Sequence, residues 1–275
     1  MELLTNPAKL KRQIIKILEE RNRRVRFFPE NKENSPSTSS VLFLMGICRD
    51  EGNRPETCLI LNKRSLQVKQ PGDLCCPGGS ISPGIDRLTG KLLRLPLSPL
   101  ARWPFWRKWK NDRPREADWI ALLLATSLRE SFEEMRLNPW AVKFLGPLPS
   151  HSLRMFKREI FPMTGWVTHQ KRFFPNWEVE KIVRIPLRAL LNRTAYARYR
   201  VFYSPQVRSK LKRESDDFPC FLYETGRETE MLWGVTYRIV AAFLSDVFQF
   251  HPPSIKSLPV VPGILDRNYL TGNNK

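Results

Sequence analysis

Arg129-Glu130-Ser131-Phe132-Glu133-Glu134 closes a segment that the sequence predicts as a helix. Asp118 offers an N-cap, the helix pattern runs to about Met135, and Asn138-Pro139 ends it. At roughly 100° per residue, Glu130, Glu133 and Glu134 fall within an arc of about 100°. Ile120, Leu124, Leu128 and Met135 fall on a different stripe. One face is therefore expected to be buried while three carboxylates project together from another. Like charges at i, i+3 and i+4 repel by roughly a few tenths of a kcal/mol per pair. Hard divalent cations such as Mg²⁺ or Mn²⁺ prefer carboxylate oxygens and relieve that repulsion. The same spacing also describes a plain solvated acidic helix face.

Upstream, residues 8–26 read as an amphipathic helix, with Leu10, Ile14, Ile17 and Leu18 at helical spacing. Asn31–Ser40 is polar and Pro-punctuated, and is expected as a loop. Val41–Ile47 and Cys58–Leu61 are short and apolar, and the Asp50-Glu51-Gly52-Asn53 turn signal between them predicts a strand pair. Lys63-Arg64-Ser65 follows, then the Gly- and Pro-rich run from Gln70 to Gly79. Residues 86–118 hold nine Lys or Arg against four acids, with Trp103, Phe105, Trp106 and Trp109 interleaved. They read as an insertion whose aromatics stack on bases, sit at a lipid interface or pack back on the domain. Downstream, Phe161–Thr168 and Ile182–Ile185 are β-like, and Phe218–Tyr223 is expected as the last strand. Residues 188–213 carry eight Lys or Arg and no acid. Residues 232–249 read as a closing amphipathic helix, and the chain from Pro252 as an irregular tail.

The bulk composition fits an ordinary globular protein, with 41% hydrophobic and 27% charged among 275 residues. Runs such as Trp119–Ala125 fall far short of the roughly 20 apolar residues of a membrane span. The N-terminal basic residues precede no continuous apolar stretch, so no signal peptide is read. Five Cys (48, 58, 75, 76 and 220) without a C-x-x-C, and scattered His151, His169 and His251, argue against a disulfide scaffold and a zinc site. A reducing cytoplasm is the expected location. The net charge of +19 favours anionic partners: a phosphorylated small molecule, nucleic acid or an acidic membrane surface.

The Pro77-Gly78-Gly79 turn followed by the Arg-Glu-x-x-Glu-Glu helix resembles the Nudix hydrolase box, G-x5-E-x7-R-E-U-x-E-E-x-G-U with U a bulky aliphatic residue. Gly79 matches its first glycine, Arg129, Glu130, Glu133 and Glu134 its core, and Leu137 its last position. Fifty positions separate Gly79 from Arg129 where the pattern has 14, so 36 residues are extra. At strict spacing the first acid becomes Ile85, with Asp86 beside it; Ser131 stands at the U position and Arg136 at the second glycine. The flanks resemble the coenzyme A pyrophosphatase branch. Leu61–Ser65, Gly72-Asp73-Leu74 and Cys76–Gly79 match its R-S…H-x-G-E/D…F-P-G-G segment, with Gln70 for His, Pro71 extra and Cys76 for Phe. Pro175–Glu180 with Ile185-Pro186-Leu187 match its N-P-x-E-V…V-P-L stretch, and Leu232–Thr236 its I-W-G-x-T helix start.

The resemblance implies an α/β fold: one Nudix domain over residues 1–251, an α/β/α sandwich around a mixed sheet, with 86–118 inserted and 252–275 as the tail. It implies a metal-dependent pyrophosphatase acting on coenzyme A or a related nucleoside diphosphate derivative. Mg²⁺ or Mn²⁺ would bind Glu130, Glu133 and Glu134, with Arg129 orienting Glu133. Gly78 and Gly79 would form the turn beside the metal, Arg64 would contact a substrate phosphate, and Glu178, Glu180 or an acid of Glu224–Glu230 would serve as base. Two alternatives stay open: a hydrolase of ADP-ribose, dinucleotides or RNA caps, and a non-catalytic basic module that binds nucleic acid or a membrane surface on a degenerate scaffold.

Overall fold

Strand β1 (Ser37–Arg49) carries an apolar run, Leu42 through Met45, that is fully enclosed. Such a near-continuous apolar stretch belongs to a strand paired on both edges and covered on both faces. The computed structural model describes residues 2–24, 37–50, 52–153, 158–226 and 228–272. They form a mixed α/β fold whose contacts divide into two units. The first holds residues up to Ile60 and Cys76–Phe174; the second holds Leu61–Cys75 and the chain from Pro175 on.

In the first unit, the part of β2 (Pro55–Arg64) up to Ile60 pairs antiparallel with β1, Met45 opposite Leu59, as the turn signal predicts. On the other side β7 (Arg158–Val167) runs parallel to β1, Leu42 opposite Met163. β5 (Val142–Pro147) and β6 (His151–Leu153) pair antiparallel with β7. β4 (Gly78–Ser80) pairs with the start of β1, Val41 opposite Gly78. Those two pairings explain why Ser37–Ser40, expected as loop, are strand; residues 31–36 of that loop lie outside the described residues. A short helix α1 (Glu2–Thr5) precedes α2 (Pro7–Arg24), which buries Leu10, Ile14 and Leu18.

Residues 86–118 do not stand apart from the fold. They form α3 (Pro83–Leu92), a run of turns, α4 (Trp106–Asp112) and the start of α5 (Pro114–Met135). Trp103, Trp106 and Trp109 are buried, so of the three placements considered for the aromatics, these rings pack back on the domain. Trp103 meets Phe144 of β5 edge-on at 5.3 Å, and Trp109 donates its Nε1–H to buried Glu19 of α2 at 2.9 Å. Arg113 donates to the carbonyls of Asn22 (2.9 Å) and Arg23 (3.0 Å), closing the C-terminal end of α2. α5 starts at Pro114, a turn before the expected Asp118, because proline suits the first helical turn, where its missing N–H costs nothing.

In the second unit, β3 (Leu74–Cys75) pairs with Asn62 and Lys63 of β2. β8 (Val179–Pro186) and α6 (Leu187–Leu190) lead into β9 (Tyr196–Tyr203). α7 (Pro205–Leu211), β10 (Ser215–Thr225), β11 (Glu228–Leu232) and α8 (Gly234–Phe248) follow. β10 is not the last strand, and the expected tail from Pro252 contains regular elements, its residues 273–275 lying outside the described residues. β12 (Val260–Leu265) runs parallel to β9, Val261 opposite Tyr199, and a short α9 (Arg267–Thr271) follows. β9 offers its second edge to that ladder, giving a four-stranded sheet ordered β11-β10-β9-β12. The second unit includes this C-terminal strand.

Candidate active site

α5 carries the acidic cluster on a different face from its main packing stripe. Ile120, Leu124, Leu128 and Met135 are buried as the periodicity requires. Ser131, at the position where the box has a bulky aliphatic, is also fully buried; its hydroxyl donates to the Ser127 carbonyl at 2.6 Å, so no polar group is left unmet. Arg136, at the second glycine of the box, caps the helix in the left-handed region (φ 55°), where its N–H donates to Phe132 at 2.9 Å. Glycine is favoured there because an L side chain is strained at positive φ.

The carboxylates take three environments. Glu130 lies against the β4 turn: a Cβ on Gly79 would stand 2.5 Å from its Cδ, so a larger residue there would displace the Glu130 carboxylate. Gly78 (φ 152°) is the more constrained, since a Cβ there would meet the Ser40 backbone carbonyl at 2.4 Å; its N–H donates to Glu134 Oε2 at 3.2 Å. Glu134 is buried, whereas the Glu133 side chain is 52% exposed. Burial raises the Glu130 carboxyl above the ordinary carboxylate range, and adjacent Arg129, 3.0 Å away, pulls it back.

Arg129 is the hub of the cluster. Its Nε donates to Asp86 Oδ1 at 2.7 Å and its Nη2 to Asp86 Oδ2 at 3.1 Å, a bidentate fork. Nη1 reaches Glu133 at 3.3 Å and Nη2 the Ser80 carbonyl at 3.1 Å. The bonds to Asp86 lead in raising the guanidinium above its ordinary pKa, against the opposing effect of burial. Asp86 is fully buried and also accepts from Thr126 Oγ1 (2.9 Å) and the Ser82 N–H (2.6 Å). The sequence placed Asp86 beside the missing acid but assigned it no role. Its signal was its place one residue past the strict spacing, in the first turn of α3.

By donor type the set fits a hard divalent ion: all three groups are carboxylates, and the desolvation of Glu130 is a cost that a cation offsets. Among the described residues no three His, Cys, Asp or Glu side chains are gathered closely enough to hold one ion. Here Arg129 holds Glu133 and sits beside Glu130, while the Gly78 N–H holds Glu134.

Arg64 and Glu178 belong to the second unit. There the separated matched segments meet. The Ser65 N–H donates to the Glu178 carbonyl at 2.8 Å, and the Arg64 N–H to the Asp73 carbonyl at 3.0 Å. The Asp73 carboxylate accepts from Trp233 Nε1 (2.9 Å) and the Tyr269 hydroxyl (2.6 Å). Burial pushes its pKa up to about 6, against the lowering effect of those donors. Arg64 Nε is engaged with the Lys69 carbonyl at 2.6 Å. Of the other proposed bases, Glu180 and Glu230 each lie 3.4 Å from Lys63, Glu230 also 2.7 Å from Lys181, and Glu228 pairs with Lys181. In the basic stretch 188–213, Arg200 forms a bidentate pair with Asp217 (2.8 and 2.9 Å), Arg208 pairs with Glu214, and Arg213 meets Asp216 at 3.2 Å. Much of that positive charge is answered locally.

No family model matches the chain. A curated relative, an uncharacterised Nudix hydrolase NudL of Pectobacterium atrosepticum, is 29% identical over 189 residues, covering 68% of this chain and 73% of its own length. Solved Nudix hydrolases from Alicyclobacillus acidocaldarius and Nitrosomonas europaea superpose with TM-scores of 0.41 and 0.39. They are 14% and 11% identical, cover 84% and 85% of this chain, and are themselves covered over 100% and 80% of their lengths. Likeness at that level carries no weight for function. Over about two thirds of its length the chain is thus similar to a curated Nudix hydrolase, and the box residues with the glycine turn beside Glu130 agree with that likeness.

Proposed function

We propose that the chain is a metal-dependent pyrophosphatase that hydrolyses the diphosphate of coenzyme A or of a related nucleoside diphosphate derivative. The observation that carries this is Arg129, pinned by buried Asp86 while it reaches Glu133 beside the Gly78-Gly79 turn. In this reading Glu130, Glu133 and Glu134 hold Mg²⁺ or Mn²⁺. The ion, when bound, neutralises phosphate oxygens and lowers the pKa of a water. Arg129 orients Glu133, and the Gly78 N–H orients Glu134. Gly79 leaves room for Glu130. Arg64 contacts a substrate phosphate, and Glu178 serves as base or further ligand. With coenzyme A the products are 4′-phosphopantetheine and adenosine 3′,5′-bisphosphate. The location in this reading is the cytoplasm. Among the described residues no helix is long and apolar enough to cross a membrane.

A second reading keeps the hydrolase and changes the substrate to ADP-ribose, a dinucleotide or an RNA cap. Gln70 and Cys76, which replace the His and Phe of the coenzyme A segment, favour it. The non-catalytic reading rests on the missing acid of the box and on Arg136 in place of its second glycine; Asp86 bound to Arg129 and the left-handed backbone that Arg136 keeps count against it. A panel of coenzyme A, acyl-coenzyme A, ADP-ribose and a dinucleoside polyphosphate, with Mg²⁺ or Mn²⁺ and product chromatography, tests the proposal. Turnover of the coenzyme A compounds is expected. Turnover of ADP-ribose with coenzyme A untouched would make the second reading correct.

A further inference from the structure

The outward side of α3 is apolar. Asp86, Gly90 and Leu93 turn into the unit and are buried. Ile85, Leu88 and Leu92 lie within about 60° of one another on the roughly opposite side of the helix. Each is at least half exposed, as are Leu95 and Leu97 in the turns that follow. Leu97 is the extreme case: it is 79% exposed and holds a left-handed backbone (φ 69°), a strained conformation for a leucine, which leaves an aliphatic side chain in water at the tip of a turn. Burial of apolar surface drives folding, so five exposed aliphatics on one contiguous segment mark a surface made to be covered.

The charge around them says by what. Between Arg87 and Asn111 the chain has seven Lys or Arg and no acid. Arg87, Lys91 and Arg94 run beside the stripe; Arg102, Arg107, Lys108 and Lys110 follow, and all seven are exposed. Asp118 meets Arg94 at 2.8 Å. A second copy docked face to face would set these cations against their own likes. Nucleic acid offers little to an aliphatic stripe, and Trp103, Trp106 and Trp109, the rings suited to stacking on bases, are buried. An anionic bilayer answers both features: its acyl boundary takes the leucines and its headgroups the cations. We propose that α3 and the turns to Leu97 form a docking surface for an anionic lipid membrane, on which the protein lies without crossing it.

Co-sedimentation tests this with the full chain and vesicles of phosphatidylcholine alone or mixed with equal phosphatidylglycerol. The wild type is expected to pellet with the anionic vesicles and to stay largely in solution with the neutral ones. A double variant, Leu92→Asp with Leu95→Asp, changes exposed side chains only and should keep the wild-type melting temperature while partitioning about tenfold less. Arg87→Gln with Lys91→Gln should weaken binding and flatten its salt dependence. Three results each overturn the proposal: no pelleting with anionic vesicles, pelleting that the leucine variant shares unchanged, or self-association through the stripe in place of vesicle binding.

Discussion

Asp86 shows how a residue takes on a task that a spacing rule withheld from it. The box pattern puts an acid at 85, where this chain has Ile85, and the 36 extra residues obscure any register beyond it. In three dimensions a fully buried carboxylate at 86 forks onto Arg129, which places a charge beside the guanidinium one residue away from the position that the pattern assigns. Asp86→Asn keeps the shape and removes the charge. Its expected effect is a fall in turnover of about 10–100-fold with the fold intact, measured by steady-state kinetics alongside a melting curve. Arg136 departs from the pattern in the opposite sense, since it keeps the left-handed backbone of a glycine without being one. Arg136→Gly should therefore raise stability by about 0.5–1 kcal/mol in a denaturant titration, less whatever its guanidinium gains over the Phe132 ring at 5.3 Å. Spacing alone brings Glu130, Glu133 and Glu134 together because a helix converts i, i+3 and i+4 into one face, whereas Arg129 enters only through the resemblance. Asp86 was not legible from spacing, because its partner is 43 residues away in sequence.

Among the elements, the acidic helix and the β1–β2 pair were readable because their periodicities are local. The aromatic stretch was not. A run with four large rings and nine cations reads as a surface insertion until its partners are known, and those partners, Phe144 and Glu19, lie on β5 and α2. Trp103 now counts as core, so Trp103→Ala should destabilise the protein by about 3–5 kcal/mol in chemical unfolding. A surface ring would cost almost nothing. β12 escaped the sequence for a similar reason: Val260–Leu265 contains Pro262 and Gly263, poor strand formers, and becomes a strand only because β9 leaves an edge to pair with. The Asp73 cluster joins β3, α8 and α9 through one carboxyl group. A carboxyl raised in the folded state is protonated there at a pH where the unfolded chain has already lost its proton. Its stabilising effect is thus present at low pH and fades as pH rises through about 6. The melting temperature of the wild type relative to Asp73→Asn should accordingly be higher at pH 5 than at pH 8. An unchanged difference would mean that Asp73 titrates as an ordinary surface acid.

At the scale of the whole molecule, the +19 charge has divided into parts with different meanings. Near residue 200 the arginines are answered by Asp216, Asp217 and Glu214. Between 87 and 111 the seven cations stand exposed around an apolar stripe. Composition gave only the sum; the division depends on which strand or turn lies beside each charge. The central claim nevertheless rests on three glutamates. Its most direct test is the rate of metal-dependent diphosphate hydrolysis, on the best substrate of the panel, in wild type and in Glu133→Gln and Glu134→Gln. Each variant should retain the wild-type melting temperature and lose about 100-fold or more in rate. Near-normal turnover in either folded variant would contradict the site described here.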